Sequence, residues 1–177
     1  SKLDWVKEIS PTYEENLTKI EVGTTSPSEK TKALIAEEVK LLAAIKDQQE
    51  KTKKILAKTP ADSASISKLT ELNQLETVHE SKLEEQKQTA VSQAQAKLKD
   101  EQVRQEIMPE YQVLSTEEIR NLSREEAVKK LKEELKLQTA IEKQIRANNK
   151  SIEKGFSAEK IAENQVLTDL LQQSKET

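Results

Sequence analysis

Residues 37–58 read EEVKLLAAIKDQQEKTKKILAK, and residues 133–154 read EELKLQTAIEKQIRANNKSIEK. Set 96 positions apart, the segments agree at Glu37/Glu133, Glu38/Glu134, Lys40/Lys136, Leu41/Leu137, Ala44/Ala140, Ile45/Ile141, Gln48/Gln144, Lys54/Lys150 and Lys58/Lys154. Nine identities in 22 positions exceed the roughly two to four that a shared helix-rich composition gives, and self-similarity at a fixed period marks an internal duplication. Both segments consist largely of Ala, Glu, Lys, Leu and Gln, which lose little on entering a helix. The duplicated element is therefore a long helix.

The period extends in both directions. Ile66, Leu72 and Leu75 match Ile161, Leu167 and Leu170 at an offset of 95. Upstream, EISPTY (8–13) returns as EIMPEY (106–111), 98 positions on, and the two phrases hold two of the chain's four prolines. Offsets drifting between 95 and 98 fit small insertions in the connections. They divide the chain into residues 1–9, the C-terminal tail of a preceding repeat helix; 10–107, a complete helical repeat; and 108–177, a second, truncated one. A chain cut out of phase with its own repeat is expected to come from a longer array.

Composition agrees with an all-helical chain. Of 177 residues 34% are hydrophobic, 34% charged and only 2% aromatic, too little apolar material for a conventional globule. Two glycines leave little room for hairpin turns. Basic and acidic residues nearly balance, 29 against 32, which is no electrostatic footprint for nucleic acid. The basic run Lys51, Lys53, Lys54 and Lys58 follows Asp47 and Glu50 at helix-pair spacing and reads as a solvated face. There is no cysteine, a condition compatible with any compartment. The longest apolar run, LLAAI (41–45), is far too short to cross a bilayer.

The helices can be placed from their punctuation. Ser10 and Pro11 suit the start of a short helix over about 11–21, stopped near Gly23 and the TTSPS segment. Ser28 is expected to cap a long helix over about 29–58, with an apolar stripe of Ile35, Val39, Leu42, Ile45, Ile55 and Leu56 and a stop at Thr59–Pro60. A second long helix is expected from Ser65 to Ile107. Its Ile66, Leu69, Leu72, Leu75 and Val78 step by threes, so the stripe slips around the helix and needs more than one partner. In the second copy Ser115 with Glu118 and Ser123 with Glu126 have capping-box spacing. Val128, Leu131, Leu135, Ile145 and Ile152 read as a coiled-coil-like seam containing Gln138, Glu142 and Asn149. Gly155 is expected as a positive-φ C-cap, with Ser157 restarting the chain as an antiparallel helix. The fold class is all-α: elongated tandem helical-hairpin or three-helix-bundle repeats with long coiled-coil-like helices. This period, with these helices, resembles the architecture of spectrin-type three-helix repeats. In that family the last helix continues into the next repeat, whereas Met108–Pro109 interrupts it here, and the family's mid-helix tryptophan is missing.

Residues with chemistry to offer are few. His79, the only histidine, reads as a helix-surface or seam position, with no second soft ligand near it in sequence. Glu84 with Glu85, and Glu133 with Glu134, are neighbours that point in different directions from a helix. No phosphate loop or nucleophile elbow is present. The reading contains no catalytic, cofactor-binding or metal residues. Three sequons, at Asn16, Asn121 and Asn149, read as chance in a Ser/Thr-rich chain. Trp5, Ile9, Pro11, Tyr13, Ile107, Met108, Pro109 and Tyr111 gather at the proline phrases and read as a repeat junction or a possible partner contact. The expected function is non-enzymatic: a rod-like structural spacer or scaffold, bound to neighbouring repeats or another protein, with no nucleic acid and no membrane insertion. The alternatives are a helical protein-binding module and a self-associating coiled coil.

Overall fold

The computed structural model describes residues 5–23 and 26–177. Residues 1–4 of the expected tail, and Thr24 and Thr25 of the expected stop segment, lie outside the described residues. Among the described residues eight helices form and no strand: α1 (Trp5–Ile9), α2 (Tyr13–Gly23), α3 (Pro27–Lys58), α4 (Ser63–Lys97), α5 (Asp100–Ile107), α6 (Thr116–Arg120), α7 (Arg124–Lys154) and α8 (Ala158–Glu176). None is long and apolar enough to cross a membrane. Contacts divide the chain into two compact units, Ser1–Ala90 and Val91–Thr177.

Local chemistry accounts for most helix ends. Ser115 and Ser123 each form a full capping box, their hydroxyls accepting from the backbone N–H of Glu118 and Glu126 while those carboxylates accept in return. Ser157 caps α8. Thr59 leaves the helical region at φ −134°, as the residue before Pro60 must. Two expectations need correction. The cap of α3 is Ser26, not Ser28, because Pro27 fills the first helical position, where its missing N–H has no partner to lose. Gly155 sits at φ 175°, an extended backbone open to any residue, and a Cβ there would meet nothing within 4 Å.

The expected continuous helix from 65 to 107 is broken at Leu98–Lys99, with Lys99 extended at φ −118° and ψ 132°. Neither Pro nor Gly causes this. Leu98 and Val103 both pack in the second unit's core, yet five residues of unbroken helix would leave them about 140° apart. The break restores a common face, and Asp100 and Glu101 at the new N-terminus suit its dipole. At the other end Met108, before Pro109, leaves the helix and is buried.

In the first unit the core joins Tyr13, Leu41, Leu42, Ile45 and Leu72, with Val6, Ile9, Leu17, Leu75 and Leu83 partly buried against it. In the second it joins Val103, Met108, Leu137, Ile141, Val166, Leu167 and Leu170. The slipping stripe of α4 is buried only in its middle, since Ile66 and Val78 at its ends are about half exposed. The stripes expected on α3 and α7 hold only in part: Leu42 and Ile45 are buried and Ile145 packs against the core of its unit. Val39 and Ile55 are about half exposed, as are Val128, Leu131 and Leu135. The buried face of α3 runs through Glu38, Leu41, Leu42, Ile45, Gln49 and Thr52, and that of α7 through Glu134, Leu137, Ile141 and Asn148. Polar side chains occupy these faces because each has a partner. Gln49 donates to Asn73 Oδ1 at 3.0 Å, Thr52 donates to the Gln48 carbonyl at 2.7 Å, and Asn148 donates to Glu163 and Asn164. The basic run is the solvated face expected, with Lys51 3.1 Å from Asp47 and Lys53 3.7 Å from Glu50.

This burial pattern makes a direct prediction. Leu41→Ala should cost about 2–5 kcal/mol because its side chain is fully buried. Val39→Ala should cost less than about 1 kcal/mol. Urea unfolding followed by the fluorescence of Trp5, the only tryptophan, reads the first unit directly. Equal losses from the two variants would place the core on the wrong face of α3.

Candidate functional site

The residues of the two proline phrases divide between the units. Trp5, Ile9, Pro11 and Tyr13 belong to the first, and Ile107, Met108, Pro109 and Tyr111 to the second. Tyr13 and Met108 are buried, and Ile9, Ile107 and Tyr111 pack partly buried against the core of their own unit. Pro11 and Pro109 are exposed.

Each tyrosine holds a carboxylate. In the first unit the Tyr13 hydroxyl, at the start of α2, donates to Glu38 Oε1 of α3. The second oxygen of Glu38 lies 2.7 Å from His79 Nδ1, on α4. The Tyr13 and His79 rings meet edge to face, with centroids 5.5 Å apart at 87°. All three residues are at most 4% exposed, so His79 lies buried in a seam between helices, the second of its two expected positions, and not on the surface. Burial alone would raise the Glu38 carboxyl, but the bonds from His79 and Tyr13, with Lys82 nearby, outweigh it and hold Glu38 below the usual carboxylate range. Burial, then the Glu38 bond and charge, pushes the Tyr13 hydroxyl well above its ordinary range, so it stays a donor.

In the second unit Tyr111 donates to Glu134 Oε1 on α7, and Ser174 of α8 donates to Glu134 Oε2. Lys130, one turn back on α7, lies 3.4 Å from Glu134 and 2.9 Å from Glu133. Its ammonium also sits 4.1 Å from the Tyr111 ring centroid, and the Arg104 guanidinium 5.3 Å from it. Burial disfavours the Lys130 charge, but Glu133, Tyr111 and Glu134 outweigh it and hold the group above its ordinary range. Burial and then Glu134 raise the Tyr111 hydroxyl. A pocket of about 160 Å³ lies beside this cluster, with Leu137 and Leu170 in its wall.

Glu38 has both oxygens occupied by donors from two other helices, and Glu134 has both occupied, by Tyr111 of the connection after α5 and by Ser174 of α8. Such saturated carboxylates are suited to fixing chain segments against one another. Among the described residues no group of three or more His, Cys, Asp or Glu side chains gathers as a metal site would require. Sequence reasoning missed the parts played by Glu38, His79, Glu134 and Ser174. A signal was present: Glu38/Glu134 and Tyr13/Tyr111 are identical pairs at the sequence offsets of 96 and 98.

Because the folded-state pKa of Glu38 is depressed, its stabilisation is complete above the unfolded glutamate value of about 4.3 and is lost as pH falls through the lower folded value. Trp5 fluorescence should therefore report a loss of first-unit stability in acid, below about pH 4.3. Glu38→Gln should flatten that dependence. Glu38→Ala, which strands two buried donors, should cost about 3–5 kcal/mol at neutral pH. An acid transition unchanged by Glu38→Gln would remove Glu38 as its source. The chain matches no protein-family model, no curated protein and no solved structure.

Proposed function

We propose that this chain is a non-enzymatic structural protein, a rod-like spacer made of tandem α-helical repeats that hold attached parts at a distance. The observation that carries the reading is the tyrosine–glutamate clamp found in each unit. Residues paired by the sequence duplication have equivalent surroundings: Glu38 and Glu134 are buried to 4% and 3%, and each accepts from the tyrosine of its proline phrase. Leu41 and Leu137, Ile45 and Ile141, and Leu72 and Leu167 are likewise buried in pairs. The offset of 95 that pairs Leu72 with Leu167 also pairs His79 with Ser174, the third member of each clamp. Repeats built this way gain function from reach and repeated surfaces.

A second reading, capture of a protein ligand on a helical face, is favoured by one observation. Val128, Leu131 and Leu135 lie three and four residues apart on α7 and are 48–59% exposed, which is the spacing of a docking stripe.

Small-angle scattering joined to light scattering tests the spacer and shows whether the α7 stripe pairs with a second copy. The spacer predicts a monomer with a radius of gyration well above the compact value of about 16 Å for this length, unchanged by Leu131→Lys with Leu135→Lys. A monomer at the compact value overturns it. A mass that rises with concentration and collapses in the double variant instead assigns the stripe to self-association.

A further inference from the structure

We infer that the groove between α5, α7 and α8 of the second unit receives a tryptophan side chain from a protein partner that carries a basic residue beside it. The inference rests on the repeat reading. The groove holds about 470 Å³ and is walled by Val103, Ile107, Ala140, Gln144, Ala147 and Glu163. The duplication offsets carry these residues onto Trp5, Ile9, Ala44, Gln48, Lys51 and Lys68. In the first unit that place is filled. The Lys68 ammonium lies 5.0 Å from the Trp5 ring centroid and donates to Gln48 Oε1 at 3.2 Å, while the indole N–H donates to Glu71. The second unit has valine where the first has the indole, and a carboxylate where the first has the cation covering it.

The two exchanges define the occupant. Valine is smaller than the indole it replaces and forms the buried floor of the groove with Ile107 and Ala140, and Ala147 in place of Lys51 keeps the mouth open. Glu163 for Lys68 reverses the charge at the rim, where Glu106 and Lys143 also stand, giving two carboxylates to one ammonium. Glu163 already accepts from Asn148 through Oε1 at 3.0 Å, which fixes its position. The apolar walls suit a ring, and indoles contribute large buried area at interfaces. The acidic rim suits the indole N–H and a neighbouring Lys or Arg. The first unit supplies its own ring and cation; the second requires both from outside.

The test titrates the full ¹⁵N-labelled chain with acetyl-Lys-Trp-Lys-amide and with acetyl-Glu-Trp-Glu-amide. Saturable amide shifts centred on Val103, Ala140, Ala147 and Glu163 are expected with the first peptide. The second should bind at least about fivefold more weakly at low salt, a preference that added salt erases. Ala147→Phe, at an exposed position on the groove wall, should abolish the shifts without unfolding the chain. No saturable shift with either peptide, or binding that survives Ala147→Phe, overturns the proposal. Equal binding of the two peptides overturns the basic neighbour. Concentration-dependent shifts at these residues without peptide would make a second copy the occupant and overturn the tryptophan partner. Val103→Trp tests the underlying repeat reading separately. It should fold with a melting temperature no lower than the parent and no longer bind the peptide. Loss of cooperative folding in Val103→Trp overturns the residue equivalence, and with it the repeat reading, whatever Ala147→Phe shows.

Discussion

A carboxylate taken out of water must be met by donors, and this requirement organises both units. An unpaired buried charge costs several kcal/mol, so Glu38 on α3 is compatible with the fold only when Tyr13 and His79 both reach it. Those two residues lie on α2 and α4, so one side chain fixes the position of three helices. Apolar burial is non-directional, and a chain with 2% aromatics has little shape complementarity with which to select one helix register. A bond with fixed length and direction supplies that selection. Leu41 and Ile45, one and two turns beyond Glu38, are then placed at 0% exposure. The clamp sets the register and the leucines and isoleucines supply the burial.

The two units meet the same electrostatic demand with different residues. His79 in the first gives way to Ser174 in the second, a smaller donor, and there Lys130 adds a full positive charge beside Glu134. At the edge of each core a second exchange involves two partners at once. Trp5 donates to Glu71 in the first unit; the duplication offsets pair these with Val103 and Val166, both buried in the second unit's apolar core. A polar pair has become an apolar pair, the two positions changing together. Paired exchange of this kind is what the proposed repeat reading requires of two units built around one packing scheme.

Some of this was legible in the sequence and some was not, for identifiable reasons. Capping boxes at Ser115 and Ser123, the stop at Thr59–Pro60 and the restart at Ser157 depend on contacts within one turn, and they form as expected. The core faces of α3 and α7 are only partly legible, through Leu42, Ile45 and Ile145, because hydrophobic periodicity assumes that polar residues face water. Glu38, Gln49, Thr52, Glu134 and Asn148 are buried, and their partners lie up to 41 residues away. The identities between the two copies pointed to the right face, since Glu38/Glu134, Leu41/Leu137 and Ile45/Ile141 are both shared and buried. The break at Leu98–Lys99 carries no Pro or Gly signal. It reflects a demand of the core on Leu98 and Val103 together, visible only once both are packed.

The same division between fixed and free positions bears on what the chain does. Lys19 with Glu15, and Lys51 with Asp47, form helix pairs in which every side chain is more than 60% exposed, and such pairs contribute little to stability. Their charges face solvent without setting the fold. Stability is concentrated in a narrow set of residues around each clamp, so most of the surface can change without loss of structure. The apolar residues left at about half exposure on α7, Val128, Leu131 and Leu135, are therefore not needed by the core beneath them. A spacer leaves such a face idle and a binding module puts it to use. Both depend on the same economy of construction, in which one satisfied carboxylate per unit frees the remaining helix faces from specifying the fold.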